Sequence, residues 1–179
     1  MILIIQIQNI PFHYYEFVKP VEDIIKNCDM KFVSLHYKLL TLEILKQSKK
    51  IIICGTSLID NSFLKDEKEF EWIKSYDKPI LGICGGMQLL GIVFNEKILK
   101  GQEIGLTNIT YINEFLGENE VKEVYELHNY YVETRNFDTY AMSDRYVQAI
   151  KHPQKLIYGV LFHPEVRNQE IIQYFIKNV

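Results

Sequence analysis

An open, mostly parallel β-sheet flanked by helices, with a strand-rich second half, is the fold that three features of the 179-residue sequence predict. Short isoleucine-rich apolar runs recur through the first half, stretches with helical spacing lie between them, and after Gly91 the pattern changes to alternating segments with short breaks. Strand and helix in succession imply parallel neighbours joined by right-handed crossovers, because a tight turn cannot connect parallel strands.

The elements follow in chain order. Met1 to Ile7, Lys31 to Leu35, Lys50 to Cys54 and Pro79 to Ile83 are apolar runs bounded by polar or turn residues, and read as buried strands. Val18, Val21, Ile24 and Ile25 mark a first helix, Leu39, Leu42 and Leu45 a second, and Leu64 to Ile73 a third, with Phe70 and Ile73 three apart. A further helix is expected from Gly86 to Phe94, where Met87, Leu90 and Phe94 share a face. Glu103 to Ile112, Val121 to Val132, Thr139 to Met142 and Tyr146 to Ile150 alternate as strands, Leu156 to Phe162 is a last apolar strand, and Asn168 to Lys177 is a closing amphipathic helix. No linker or repeat divides the chain, so residues 1–179 are expected to form one domain.

Composition removes several classes of function. With 47% hydrophobic and 24% charged residues the chain is not disordered. Its formal net charge is -3, and its arginines are Arg135, Arg145 and Arg167, so no basic stripe tracks a phosphate backbone and no nucleic-acid partner is expected. No apolar run approaches the ~20 residues of a membrane span, and a soluble cytoplasmic protein is expected. Cys28, Cys54 and Cys84 show no C-x-x-C spacing, which argues against disulfides, and no His/Cys/Asp cluster has ligand spacing, so no metal is expected.

The chemistry concentrates in Pro79-Ile80-Leu81-Gly82-Ile83-Cys84-Gly85-Gly86-Met87, a strand running straight into a helix with a cysteine at the junction. Gly82, Cys84 and Gly86 form G-x-C-x-G, the cysteine form of a nucleophile elbow, in which small residues on either side permit a strained turn at the sheet's carboxyl edge. The sulfur would sit over the amino end of the next helix, where the dipole and free N–H groups favour the thiolate, the form that attacks. Cys54, ending a buried strand, and Cys28, at a helix end, are expected to be inert packing.

A thiolate nucleophile needs a base that later returns a proton. His163 lies in Gly159-Val160-Leu161-Phe162-His163-Pro164-Glu165, just past the last strand, where a second catalytic loop of a parallel sheet belongs. Glu165 follows two residues on, near enough to orient the imidazole. His128 reads equally as a pocket residue or a strand-end residue on a half-exposed face, and His13, His36 and His152 carry no functional signal.

On the Gly82–Gln88 and Gly159–Glu165 motifs, in that order and with 79 residues from Cys84 to His163, the chain resembles the class I (triad) glutamine amidotransferases over nearly its whole length. The resemblance implies a flavodoxin-like α/β fold and a glutaminase. Cys84 would attack the glutamine side-chain amide, His163 would protonate the departing ammonia and then activate water, and Glu165 would orient His163. It also implies an oxyanion hole from the Gly85 N–H and the Cys54-Gly55-Thr56-Ser57 turn, with Gly55 and Thr56 at its centre. The family usually carries two glycines and a proline there, and since a β-branched residue resists positive φ, Thr56 predicts an altered loop. Gln88 matches the family glutamine at the helix start, and Gly105 and Leu106, with His128, Asn129 and Tyr130, fall where relatives bind glutamine's backbone groups. Within the family, Tyr158-Gly159-Val160, Glu126 with His128, and Gln148 to His152 most resemble the glutaminase subunit of GMP synthase.

That resemblance implies glutamine as substrate, no cofactor for the glutaminase step, and a separate synthetase subunit that would use ATP and Mg. Two other readings stay open at this point: a free-standing γ-glutamyl hydrolase, and a non-catalytic regulatory or binding module that retains the fold.

Overall fold

The computed structural model describes residues 1–179. Its nine strands are β1 (Ile2–Gln6), β2 (Phe32–His36), β3 (Lys50–Ile53), β4 (Ile80–Ile83), β5 (Lys97–Tyr111), β6 (Val121–Glu133), β7 (Asp138–Met142), β8 (Val147–Lys151) and β9 (Ile157–Val160). They form one sheet in the order β2-β1-β3-β4-β9-β8-β7-β5-β6. The β2, β1, β3, β4 and β9 neighbours are parallel, and the pairs from β9 through β6 are antiparallel.

Alternation along the central strands sends side chains to two cores. Ile2, Ile4, Ile52, Leu81, Ile83, Tyr158 and Val160 face one side, which is covered by Val21, Ile24 and Ile25 of helix α1 (Lys19–Asn27) and Ile171, Ile172, Phe175 and Ile176 of the closing helix. Leu3, Ile5, Ile51, Ile53, Ile80 and Ile157 face the other, against Leu45 of α2 (Leu42–Gln47) and Met87, Leu89, Leu90 and Val93 of α3 (Gly85–Val93). The closing helix is α4 (Glu170–Asn178). Helix α1 begins with Pro20 in its first turn, where a missing N–H costs nothing, and α2 begins with the Thr41 side chain accepting from the Ile44 amide at 3.3 Å.

The expected helix over Leu64–Ile73 is instead two 3-10 segments, Ser62–Lys65 and Glu67–Ser75. Only Phe63, Phe70 and Ile73 are buried from this stretch, and residues three apart eclipse in a 3-10 helix, so the short stripe is served without an α-helical face. A single π turn, Tyr14–Val18, precedes α1 and was not legible in the sequence. Strand β5 begins six residues before the expected Glu103, with an irregularity in its pairing between Lys100 and Glu103.

Two features of this topology place the functional residues. Strand β9 inserts beside β4, with Ile83 paired to Val160, so the segments leaving those two strands emerge together at the carboxyl edge. The β5–β6 hairpin then folds across that edge: the Tyr125 carbonyl accepts from the His163 amide at 2.9 Å and the Tyr130 carbonyl from Gln88 Nε2 at 3.0 Å. No helix is long and apolar enough to cross a membrane.

Candidate active site

Cys84 stands between β4 and α3 with φ 48° and ψ -104°, a backbone conformation that residues other than glycine rarely hold. The neighbouring glycines explain how the turn closes. A Cβ on Gly82 would meet the Gly86 carbonyl at 2.6 Å, and one on Gly86 would meet the Ile53 carbonyl oxygen at 2.3 Å, so α3 lies against β4 and β3 more closely than any side chain permits. The Cys84 amide donates to the Val160 carbonyl at 2.7 Å, tying the elbow to β9. Its sulfur is 3.6 Å from the Leu127 carbonyl of β6 and its side chain is nearly buried.

His163 and Glu165 are buried, and His163 Nδ1 donates to Glu165 Oε1 at 2.7 Å. A carboxylate accepts only, which places the proton on Nδ1 and leaves Nε2 without a hydrogen-bond partner. Burial works against a charged imidazole, but the negative charges of Cys84 and Glu165 outweigh it and hold the ring well above the ordinary histidine range. Phe17, from the π turn, packs 5.3 Å from the ring.

Gly55 fills the space between His163 and Cys84. A Cβ there would lie 2.8 Å from His163 Cε1 and 3.3 Å from Cys84 Cβ. Neither Gly55 nor Thr56 has a positive φ, so the altered backbone expected from Thr56 does not arise from a left-handed strain, and Thr56 is accommodated, buried, with its hydroxyl unpartnered. Glycine is needed in this turn for room rather than for φ. Gly85, Thr56, Gln88, Asn129 and His128 all line one narrow cleft with Cys84 and with Ser57 of the same turn as Thr56, together with Leu58, Asn61 and Leu127, which sequence reasoning did not single out. The Leu58 carbonyl accepts from both Asn61 and Asn129 side chains, at 2.7 and 3.1 Å, and so closes one wall.

The remaining expectations divide. Tyr130 reaches the site through its main chain, by the bond to Gln88. Gly105 and Leu106 do not line the cleft: Leu106 points to solvent from β5, and nothing lies within 4 Å of a Cβ built on Gly105. The hairpin carries them away from the elbow. His128 is not half-exposed but 1% exposed, with its ring turned inward. Glu103, Glu126 and His128, a grouping outside the His/Cys/Asp spacings considered in the sequence, bring ligand-type atoms within 4.8 Å of one another. Their spacing in sequence hides this because two strands contribute; the available signal was Glu126 and His128 two apart on the inward face of β6 between Val124 and Val132. Cys54 is buried, and burial pushes its thiol well up, in keeping with inert packing.

The family described as "Glutamine amidotransferase class-I" matches residues 15–179. The chain belongs to that family. It is 37% identical over 130 residues to a subunit of the glutamine-hydrolysing GMP synthase of Pyrococcus furiosus, covering 68% of this chain and 69% of that one. It is 32% identical over 131 residues to the glutamine-hydrolysing GMP synthase of Spiroplasma kunkelii, a match covering 67% of this chain and 25% of that longer protein. Among solved structures, a Thermoplasma acidophilum protein assigned as the corresponding GMP synthase subunit superposes with a TM-score of 0.84 at 22% identity, over 98% of this chain and 92% of that one. A Thermotoga maritima glutamine amidotransferase gives a TM-score of 0.74 at 21% identity, over 98% and 81% of the two chains, and both share this mixed sheet flanked by helices. The class I amidotransferase is thus an enzyme whose sheet is parallel at its start and antiparallel later.

Proposed function

We propose that this chain is a glutaminase subunit that hydrolyses glutamine through a Cys84 thioester and passes ammonia to a separate synthetase, with GMP synthase the system its relatives point to. The observation that carries the chemistry is the buried His163–Glu165 pair, held at 2.7 Å, with Gly55 wedged between its imidazole and the strained Cys84 elbow. The 37% identity to the Pyrococcus furiosus GMP synthase subunit supports the acceptor system.

In this reading Cys84 attacks the side-chain amide carbon of glutamine, forming a C–S bond and sending the electron pair to the oxygen. That oxygen is received by the Gly85 N–H and the Gly55-Thr56 turn, donors in place before reaction begins. The C–N bond then breaks as His163 gives its Nε2 proton to the departing nitrogen. Water enters, His163 takes one of its protons, and the thioester collapses to glutamate and the Cys84 thiolate. Glu165 keeps its bond to Nδ1 throughout and offsets the imidazolium charge. Gln88 and Asn129 would orient the substrate, with His128 and Tyr130 contributing main-chain groups. The chain's own thiol supplies the chemistry, and ATP and Mg would be used by the partner.

The test is glutamate release together with intact-mass analysis after exposure to a glutamine-analogue diazoketone. One adduct on the unsubstituted protein and none on Cys84→Ala is expected, with His163→Ala reducing turnover by a factor of at least about a thousand because triad members act as a unit. Turnover retained by either variant would overturn the assignment. A free-standing γ-glutamyl hydrolase and a non-catalytic module gain no support from any feature of the cleft.

A further inference from the structure

The glutaminase chemistry makes no use of the most unusual buried group in the molecule. Glu126 on β6 is fully buried and neither of its carboxylate oxygens has a protein hydrogen-bond partner. Leaving an acceptor-only group in that condition is expensive, and native proteins rarely do so without a reason. Beside it, His128 is also buried, and its Nδ1 lies 3.1 Å from the Gly101 carbonyl. A carbonyl accepts only, so Nδ1 carries the proton and Nε2 presents a lone pair, and this atom too has no hydrogen-bond partner. The lone pair faces two carboxylates: Nε2 is 3.4 Å from Glu126 Oε2 and 3.5 Å from Glu103 Oε2.

Three acceptors converging on one another repel unless something positive lies among them. We propose that Glu103, Glu126 and His128 bind one divalent transition-metal ion, through His128 Nε2 and one oxygen of each carboxylate. The two distances from His128 Nε2 fit: ligands about 2.1 Å from a tetrahedral ion stand about 3.4 Å from each other, and all three groups lie within 4.8 Å. The supporting contacts fit as well. A metal-bound imidazole usually donates its other N–H to a carbonyl, as His128 does to Gly101, and ligating carboxylates are themselves hydrogen-bonded. Glu103 accepts from Ser143 Oγ at 3.0 Å and from Gln148 Nε2 at 2.8 Å. One nitrogen and two oxygens, with no thiolate, suit Zn²⁺ or Mn²⁺ better than a soft ion. A rival occupant is a proton: burial and the Glu103 charge push Glu126 up to about 8. The ion would brace β5 against β6 beside Leu127, whose carbonyl meets the Cys84 sulfur, without touching the reacting atoms.

The test uses the full chain with Cys84→Ser, which removes the cleft thiol as a competing zinc ligand. Chelator-stripped protein is equilibrated with ZnCl₂ or MnCl₂, passed through gel filtration and assayed for metal by mass spectrometry, alongside its thermal midpoint. One ion per chain and a raised midpoint are expected, both lost in Glu126→Gln and in His128→Asn. Absence of stoichiometric metal in the Cys84→Ser protein overturns the proposal and leaves a proton in its place, as does metal retained undiminished by both variants. Should the variants misfold, X-ray absorption of the loaded Cys84→Ser protein decides: nitrogen and oxygen neighbours at about 2.0–2.2 Å support the site, and a sulfur neighbour overturns it.

Discussion

At the scale of the residue, the decisive contact is one hydrogen bond of 2.7 Å between two buried side chains, His163 and Glu165. Because Cys84 and the Glu165 carboxylate raise the affinity of the ring for its proton, the imidazolium proposed to protonate ammonia persists to higher pH than an ordinary histidine allows. The sign follows: replacing Glu165 by Gln removes negative charge and lowers the His163 pKa, so the alkaline limb of kcat/KM should move to lower pH in Glu165→Gln, along with a loss of rate. A pH profile whose alkaline limb stays in place would show that Glu165 does not set the charge of His163. Cys84, His163 and Glu165 were all legible in sequence, since two motifs each carry their chemistry within a few consecutive residues. Glu103 with His128 was not, because its partners lie 25 residues apart and meet only through strand pairing.

At the scale of the element, the loops at the carboxyl edge hold one another. Asp60, in the connection after β3, accepts from the amides of Asn9 at 2.7 Å and Ile10 at 3.0 Å, in the connection after β1. Burial alone would raise its pKa, but these amides, with His13 nearby, outweigh burial and hold the carboxyl below the ordinary aspartate range. A depressed carboxylate stabilises the fold fully above its unfolded pKa and loses that contribution as pH falls. Asp60→Asn should therefore cost about 1.5–3 kcal/mol near pH 7, with the gap to the unsubstituted protein narrowing below about pH 4. Denaturant titrations at a series of pH values would check this, and a pH-independent gap would contradict it. The strands were readable from their isoleucine-rich runs, whereas the Leu64–Ile73 segment was misassigned as an α-helix. Its i, i+3 pair of Phe70 and Ile73 satisfies both periods, and nothing else in a stretch of charged residues separates them.

At the scale of the whole molecule, the sheet is closed by its last helix. Phe175 is fully buried in α4, 6.1 Å from the Tyr158 ring, and Lys50 at the start of β3 donates to the Phe175 carbonyl at 3.1 Å and to that of Ile176. A cation at a helix carboxyl end adds to the packing there. Phe175→Ala should lower stability by about 3–5 kcal/mol, seen as an earlier midpoint in thermal or denaturant unfolding, while the diazoketone still labels Cys84 below that midpoint. Loss of labelling in the folded variant would mean that α4 shapes the cleft directly. The sequence displayed the alternation that builds both cores, but not the strand order, which rests on contacts between segments far apart in the chain.

That order has a consequence in time. Strand β9, made after the other eight strands, pairs with β4 near the middle of the sheet, and His163 and Glu165 follow β9 in the chain. A growing polypeptide therefore presents its cysteine 79 residues before His163 exists, an interval of about 4–16 seconds at ribosomal rates of about 5–20 residues per second. Throughout that interval the thiol lacks the imidazole proposed to activate it, so in that reading hydrolysis of glutamine waits until His163 has been added.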